Sequence, residues 1–255
     1  MKLNYKEFGE GDQSLIIIHG LFGSLDNWLT LAKGFAKNQR VFLIDQRNHG
    51  RSPHSDDFTY EAMAGDVKEF IIDHNLNKVS LLGHSMGGKT AMLFACTYPE
   101  LVDKLVIVDI GPKYYPPHHK TIIDALTNID LQNLKSRSEA DKIMVESIQD
   151  FGIRQFLLKN LTRNEDKQFA WKINLPVIVK NIDSVGEGLN SNLKYNGSTQ
   201  FIRGDRSDYI LDEDVDAIQT QFPNAQLVTI QGAGHWVHAE QPEALFNTIT
   251  NFFNE

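Results

Sequence analysis

The sequence predicts an α/β fold with a mostly parallel, doubly wound sheet. Short runs of consecutive apolar residues alternate with longer segments whose apolar residues recur at helical spacing, which is the pattern of strands joined by helices. The apolar runs are continuous rather than alternating, as expected for strands that are buried on both faces. In such a sheet the reactive side chains belong at the carboxyl ends of the strands.

The first part of the chain contains four runs of strand length and three helical segments. The predicted strands cover residues 15–18, 41–44, 79–82 and 105–108. The predicted helices cover residues 25–36, 60–74 and 85–97. Each helix carries an apolar stripe, such as Met63, Val67 and Phe70 in the second one, with which it can pack against the sheet.

The alternation stops after Pro112 and resumes near residue 197. The stretch between them contains four helix-like segments, at residues 122–134, 138–151, 153–161 and 169–185. Strands return at residues 199–202 and 226–230. The sequence therefore predicts an α/β core of residues 1–112 and 197–255 with a helical cap, residues 113–196, inserted between two late strands. The alternative is a second helical layer with no role in an active site.

Composition excludes several classes of protein. The 255 residues carry a net charge of −8, which argues against nucleic acid or an anionic membrane surface as a partner. No apolar run approaches the roughly 18 residues of a membrane-spanning helix. The N-terminal residues lack the apolar core of a signal peptide, and the lone Cys96 is expected to be a small buried core residue. We expect a cytoplasmic protein; its oligomeric state is not predicted.

Ser85 stands in the sequence Gly-His-Ser-Met-Gly, residues 83–87, between a predicted strand and a predicted helix. This is the setting of a nucleophile elbow, a sharp turn that raises a serine hydroxyl above the sheet. Glycines flank the turn because neighbouring backbone comes too close there for a side chain. The sequence therefore predicts Ser85 as a nucleophile.

A serine hydroxyl needs an adjacent base, and His235 is the best candidate among nine histidines. His235 lies in a glycine-rich loop just after the last predicted strand. His238 is the nearest rival, but it lies at the start of a predicted helix. The remaining candidates are His84, His118 and His119.

Three aspartates are candidates for the acid that orients the imidazole. Asp109 ends the strand after the elbow helix, whereas Asp205 and Asp208 follow the next strand. All three satisfy the chain order Ser, Asp, His and lie at the carboxyl edge of the sheet. We favour Asp109, and at least two of the three must be surface carboxylates that cap turns.

Backbone amides are expected to stabilise the oxyanion of an acyl-transfer reaction. The N–H of Met86, beside the nucleophile, supplies one donor, and Leu21 in the glycine-rich loop of residues 19–24 supplies the second. The segment of residues 45–52 is interpreted as a structural turn in which Arg47 ties loops together. No metal-ligand spacing and no nucleotide-binding glycine motif occurs, so neither a metal nor a cofactor is expected.

Taken together, these motifs resemble the α/β-hydrolase superfamily along nearly the whole chain. Residues 19–27, 83–89 and 232–240, with residues 45–52, resemble the bacterial YbfF-type esterases. The resemblance implies a cofactor-free carboxylic-ester hydrolase with a helical cap, acting on short acyl esters or acyl thioesters. Many members place the acid at the position of Ser207 here. Esterases similar to this one instead use the aspartate that matches Asp109, which leaves Ser207 to support the hydrogen bonds around His235.

The sequence thus predicts a serine hydrolase whose small-molecule substrate is an ester with a short to medium acyl group. Aromatic residues of the cap, with two from the core, are expected to wall the acyl pocket. These residues are Phe22, Tyr114, Tyr115, Phe151, Phe156, Trp171 and Trp236. A thioesterase or carbon–carbon bond hydrolase on the same residues is the alternative enzyme, and a small-molecule receptor with little turnover is the alternative outside catalysis.

Overall fold

Seven strands form one sheet in the computed structural model, which describes residues 1–255. They are β1 (Tyr5–Phe8), β2 (Ser14–Ile18), β3 (Arg40–Ile44), β4 (Val79–His84), β5 (Val102–Val108), β8 (Ser198–Gly204) and β9 (Ala225–Ile230). Their order in the sheet is β1-β3-β2-β4-β5-β8-β9, and β1 alone runs antiparallel to its neighbour. The predicted fold class is confirmed.

The central strands are buried on both faces, which explains their uninterrupted apolar sequences. All five residues of β2 and all six of β4 are buried, and Ile18 at the end of β2 pairs with Gly83 near the end of β4. Because the strands are parallel and in register, the segments that follow β2, β4 and β5 emerge at one edge. This edge carries the candidate site.

Helices cover the two faces of the sheet. One face carries α2 (Tyr60–Asp73), α3 (Met86–Thr97) and α9 (Val215–Gln221), and the other carries α1 (Leu29–Phe35) and α11 (Pro242–Asn254). A short helix, α10 (Val237–Glu240), precedes α11. No helix in the structure combines the length and the hydropathy that crossing a bilayer requires. Cys96, expected to be a small buried core residue, is only partly buried near the end of α3.

The residues between β5 and β8, called the cap here, form helices and one small hairpin. The helices are α4 (Lys120–Thr127), α5 (Arg137–Val145), α6 (Phe151–Leu158), α7 (Leu175–Lys180) and α8 (Ile182–Val185). The hairpin pairs β6 (Leu161–Arg163) with β7 (Phe169–Trp171). The division of the chain at residues 113 and 196 stays a prediction.

The hairpin corrects the expected helix of residues 169–185. Asn164 and Gln168 close a tight turn through their backbone and side-chain atoms, and this turn returns the chain as a strand. The helix begins only at Leu175, and Pro176 lies in its first turn. Proline has no N–H group, but an N–H in the first turn has no acceptor within the helix, so proline is well tolerated there. The apolar residues before Leu175 therefore belong to a strand and not to the helix.

The cap packs on the carboxyl edge of the sheet through its own apolar cluster. Leu126, Met144, Leu157 and Ile178 of the cap join Met86 at the start of α3 in this cluster.

Arg47 lies in the turn of residues 45–52. Its guanidinium donates 2.7 and 2.9 Å hydrogen bonds to the buried carboxylate of Asp66 and two more to backbone carbonyls of residues 57 and 62. Arg47, expected to tie loops together, ties its own loop to helix α2, through Asp66 and Ala62, and to the loop that precedes this helix through the Asp57 carbonyl.

Candidate active site

Ser85 occupies a strained turn between β4 and α3. Its φ angle is 53°, in the left-handed region that few residues other than glycine adopt. A Cβ at Gly87 would lie 2.4 Å from the Ile18 carbonyl oxygen, and one at Gly83 would lie 2.3 Å from that of Gly87. The two glycines therefore allow α3 to start against β2, which leaves the Ser85 side chain above the edge of the sheet.

His235 reaches Ser85 from the loop between β9 and α10. Its Nε2 atom lies 3.1 Å from Ser85 Oγ. The ring stacks on that of Tyr209, with 3.9 Å between centroids and 14° between planes, while its backbone carbonyl accepts a 2.8 Å hydrogen bond from His84 Nε2. The imidazole is thus fixed by contacts on its face and through its backbone. Sequence reasoning missed Tyr209, because nothing in its sequence surroundings marks it.

Asp109 is the carboxylate that contacts the imidazole. It also has a positive φ, 53°, and its side chain is 0 % exposed. Oδ2 accepts a 2.8 Å hydrogen bond from His235 Nδ1 and another from the Ser207 hydroxyl, while Oδ1 accepts from the Gly204 N–H at 3.1 Å. The buried carboxylate thus accepts hydrogen bonds from three donors.

The two rival aspartates lie elsewhere. Asp205 is exposed and accepts a 3.1 Å hydrogen bond from the Ala233 N–H, so it braces the loop that carries His235. Asp208 is exposed and contacts neither the imidazole nor Ser85. Ser207 takes the place expected of it, beside the Asp109 carboxylate.

Burial keeps the imidazoles of His84, His119 and His238 neutral. Burial lowers the pKa of His238 to about 3 and that of His119 to about 4, and it lowers the pKa of His84 well below its usual range. The ring of His238 stacks on Trp28 at 4.6 Å. His118 Nε2 lies 2.5 Å from the Tyr209 hydroxyl. Of all the histidines, His235 is the one that reaches the Ser85 hydroxyl.

The loop of residues 19–24 lies directly against Ser85. A Cβ at Gly20 would come within 3.1 Å of the Ser85 Cβ. Phe22 anchors the loop to both the core and the cap. Its N–H donates to His49 Nε2 of the core at 3.2 Å, and its carbonyl accepts from Asn160 of the cap at 2.7 Å. The N–H groups of Leu21 and Met86 donate to no other residue of the chain, so both are free to bind an anionic oxygen.

Two cavities meet at Ser85. The larger, with about 740 Å³ between protein atoms, contains three of the expected pocket residues, Phe22, Phe156 and Trp236. Its other lining residues are His19, Gly20, Leu21, Gly23, Asn27, Trp28, His84, Ser85, His118, His119, Ile122, Tyr209, His235 and His238. It opens into an outer cleft that shares five of these residues and also contains Lys159 and Glu240.

The smaller cavity, of about 370 Å³, also includes Ser85 in its lining and contains Tyr115. Its lining is otherwise Leu21, Tyr60, Ser85, Met86, Ile110, Pro116, Pro117, His118, His119, Ile182, Val185, Gly186 and Tyr209. His235 lines the larger cavity and is absent from the lining of the smaller one. No Asp, Glu, Lys or Arg side chain lines either of the two.

Three of the expected pocket residues lie away from both cavities. Tyr114 is 59 % exposed and Phe151 is 64 % exposed, so both side chains lie largely in solvent. Trp171 belongs to the hairpin and lines a separate surface groove beside Leu126 and Leu175. The prediction that these three residues wall the acyl pocket is therefore corrected, because the structure does not bring them to Ser85.

Comparison with known proteins agrees with this geometry. A family model described as the alpha/beta hydrolase fold matches residues 13–132. The chain is 34% identical to Esterase YbfF of Escherichia coli over the full length of both proteins. It is 38% identical to the Mus musculus protein named sn-1-specific diacylglycerol lipase, covering 95% of this chain and 82% of that protein. A solved structure titled Marine microorganism esterase superposes with a TM-score of 0.96 at 45% identity, covering 98% of this chain and 99% of the other. The chain therefore belongs to the α/β-hydrolase superfamily, and it is an enzyme that hydrolyses ester bonds.

Proposed function

We propose that this protein hydrolyses uncharged carboxylic esters through an acyl-enzyme formed on Ser85. The observation that carries the proposal is the chain of hydrogen bonds from Ser85 Oγ to His235 Nε2, 3.1 Å, and from His235 Nδ1 to Asp109, 2.8 Å, at the meeting point of two cavities. This is the arrangement of nucleophile, base and orienting acid that acyl transfer requires.

In the first half of the reaction, Ser85 Oγ attacks the acyl carbon and its proton passes to His235 Nε2. The carbonyl oxygen becomes an oxyanion that accepts hydrogen bonds from the Leu21 and Met86 N–H groups. When the tetrahedral intermediate collapses, the bond to the alkoxy oxygen breaks and His235 returns the proton to that oxygen. In the second half, water attacks the acyl carbon of the acyl-enzyme while His235 removes a proton from the water. The bond between the acyl carbon and Ser85 Oγ then breaks, His235 returns the proton to Oγ, and the acid leaves.

The position of His235 determines which cavity receives which part of the substrate. The leaving oxygen must lie next to His235 Nε2, because that atom supplies its proton. His235 lines the larger cavity and not the smaller one. The alcohol part of the ester therefore occupies the larger cavity and the outer cleft, and the acyl part occupies the smaller cavity.

The walls of the smaller cavity indicate a short, uncharged acyl group. Tyr60, Ile110, Ile182 and Val185 give it an apolar lining, and it is the smaller of the two cavities. An anionic acyl group would be desolvated there without a cationic partner, which is strongly unfavourable. A CoA leaving group would extend into the outer cleft, where Lys159 is accompanied by the two acidic residues Asp150 and Glu240. This net acidic lining disfavours acyl-CoA thioesters, whose phosphates need cations.

The nucleophile is tested by Ser85→Ala. We expect turnover of p-nitrophenyl esters to fall by roughly 10⁶-fold, because the acyl-enzyme can no longer form. Mass spectrometry of the wild type after treatment with a fluorophosphonate should show one adduct, on Ser85. Circular dichroism and thermal unfolding of the variant serve as the folding control. Hydrolysis by Ser85→Ala close to that of the wild type would overturn the proposal.

A stoichiometric adduct on Ser85 without ester hydrolysis would instead point to another substrate. Acyl-CoA thioesters and diketones are therefore included in the same substrate panel, with the products identified by mass spectrometry. Tight binding of a ligand that reacts once and is then retained would favour the receptor.

The assignment of the two cavities is tested by Val185→Ala and Trp236→Ala on esters that vary in one part only. Val185→Ala should raise kcat/KM for hexanoyl relative to acetyl esters of one alcohol, because it enlarges only the smaller cavity. Trp236→Ala should leave that ratio unchanged and alter the preference among alcohols instead. The reverse pattern would exchange the two cavities without affecting the role of Ser85.

A further inference from the structure

Lys89 is a buried cation outside the group of residues that performs the chemistry. It lies on α3, four residues after Ser85, and is 1 % exposed. Its ammonium group donates hydrogen bonds to three backbone carbonyls, those of Lys113 at 3.1 Å, Gly186 at 3.0 Å and Glu187. The three donors of an ammonium group thus meet three acceptors.

These carbonyls belong to the two segments where the chain crosses between core and cap. Lys113 lies where the chain enters the cap after β5, and Gly186 and Glu187 lie where it leaves α8. The crossings run side by side, since the Tyr115 N–H donates to the Gly186 carbonyl at 2.8 Å and the Leu189 N–H donates to that of Pro112 at 2.8 Å. Lys89 is the core residue that binds both crossings at once.

The crossings also form one wall of the smaller cavity, which contains Tyr115, Val185 and Gly186. We propose that Lys89 is a positioning residue that fixes the two crossings on the core and thereby sets the width of the acyl cavity. The inference rests on the proposed assignment of that cavity. A shift of the Val185 and Gly186 backbone by even a fraction of an ångström changes the space available to an acyl chain of a few carbons.

The surroundings of Lys89 suit a cation that is held by dipoles and rings. Its Nζ lies 4.9 Å from the ring centroid of Tyr115 and 5.9 Å from that of Tyr60. Glu187 is the acidic residue whose charge acts on it, and the nearby Lys113 is itself paired with Asp214 at 2.6 Å. Burial lowers the pKa of Lys89 to about 7, partly opposed by the Glu187 charge. Hydrogen bonds to backbone carbonyls and contacts with aromatic rings therefore hold the Lys89 ammonium in place more than an ion pair does.

The test compares Lys89→Met with Lys104→Met. Lys104 is a matched control because its ammonium also donates to two backbone carbonyls, those of Phe252 and Phe253, but at the far side of the core. We expect Lys89→Met to raise KM for butyrate esters about tenfold with kcat changed much less, because the triad is untouched while the acyl group is bound in a poorly shaped cavity. The ratio of butyrate to acetate kcat/KM should fall below its wild-type value, and Lys104→Met should leave this ratio as in the wild type.

A second readout is independent of activity. Amide hydrogen exchange should become faster at residues 113–119 and 186–189 in Lys89→Met, and it should not change there in Lys104→Met. If Lys89→Met fails to fold, Lys89→Gln, which retains two N–H donors, takes its place in both measurements. Unchanged acyl preference together with unchanged exchange at the crossings would overturn the inference.

The two proposals fail in different ways. If wild-type protein hydrolyses no ester, the proposed function fails, and hydrogen exchange still tests whether Lys89 fixes the crossings. If Ser85→Ala abolishes hydrolysis but Lys89→Met behaves like Lys104→Met, the role of Lys89 fails alone.

Discussion

Asp109→Asn is the substitution whose effect follows most directly from the geometry. The Asp109 carboxylate is fully buried and accepts three hydrogen bonds, from His235 Nδ1, Ser207 Oγ and the Gly204 N–H. An asparagine has the same shape, but one of its two acceptor atoms becomes an NH₂ group. That group can be placed in two ways, and each has a separate cost.

With the NH₂ group toward His235, the asparagine donates to Nδ1 and the imidazole must carry its hydrogen on Nε2. That nitrogen then cannot accept the Ser85 proton, so turnover should fall by roughly 10⁴-fold, which corresponds to about 5 kcal/mol of activation free energy. With the NH₂ group toward Gly204, the tautomer is retained, but two buried donors face each other. An unsatisfied donor of this kind costs about 1–3 kcal/mol of folding stability.

The assay measures both quantities on each variant: kcat/KM for p-nitrophenyl acetate and the free energy of unfolding in urea. Asp208→Asn is the matched control, because Asp208 is exposed and contacts no group of the site. The expected result is a loss in kcat/KM, in stability, or in both, for Asp109→Asn and neither for Asp208→Asn. For Asp109→Asn, a kcat/KM within about twofold of the wild type, together with a free energy of unfolding within about 0.5 kcal/mol of it, would refute the assignment of the acid.

Two further predictions follow from buried cations. Burial lowers the pKa of Lys89 from 10.5 to about 7, so between these pH values the unfolded chain binds a proton that the folded protein does not. Raising the pH through this window therefore favours the folded protein, and this group should raise the free energy of unfolding by at most about 1.4 kcal/mol per pH unit in the wild type but not in Lys89→Met, as measured by urea unfolding. Arg47→Met removes both guanidinium hydrogen bonds from the buried Asp66 carboxylate, which keeps a 2.7 Å hydrogen bond from the N-terminal ammonium of Met1. The substitution should destabilise the fold by at most about 3–5 kcal/mol, measured by urea unfolding. Stability within about 1 kcal/mol of the wild type would show that the remaining ammonium group and water compensate the carboxylate without Arg47.

The strands and the elbow could be predicted from the sequence because their physical causes are local. A run such as Leu15–Ile18 is apolar throughout since both faces are buried. Gly83 and Gly87 are required around Ser85 because a side-chain carbon at either position would come within 2.4 Å of a backbone oxygen. The geometry also brings His235 to Ser85, and its flanking glycines made it the best candidate among nine histidines.

The choice between Asp109, Asp205 and Asp208 could not be made from local sequence. All three follow strands that end at the same edge, and what separates them is the direction of one side chain. Asp109 turns inward because its φ is positive and its N–H is held by the Ile202 carbonyl at 2.8 Å. That constraint comes from a neighbouring strand distant in the sequence. The resemblance to esterases supplied the preference that the local pattern could not.

The cap was the least predictable part, because its helices pack on one another and not on a sheet of known orientation. An aromatic residue there has no sequence feature that tells whether it faces the cavity, as Phe156 does, or solvent, as Phe151 does. The same is true of Lys89, since a lysine four residues after the nucleophile is expected on a helix surface. Its partners, three carbonyls from two distant segments, are visible only once the chain is folded.

The neighbouring positions of the two crossings have a consequence for how such enzymes diversify. A segment whose ends meet at one point of its host can be replaced by another segment of different length without moving the host's backbone. Here Pro112 and Leu189 are joined by a 2.8 Å hydrogen bond, so the segment between them leaves the core and returns to it at neighbouring positions. Ser85, Asp109 and His235 all lie outside this segment. Transplanting the segment from a relative should therefore transfer preference for the acyl group while the reaction itself stays with the recipient.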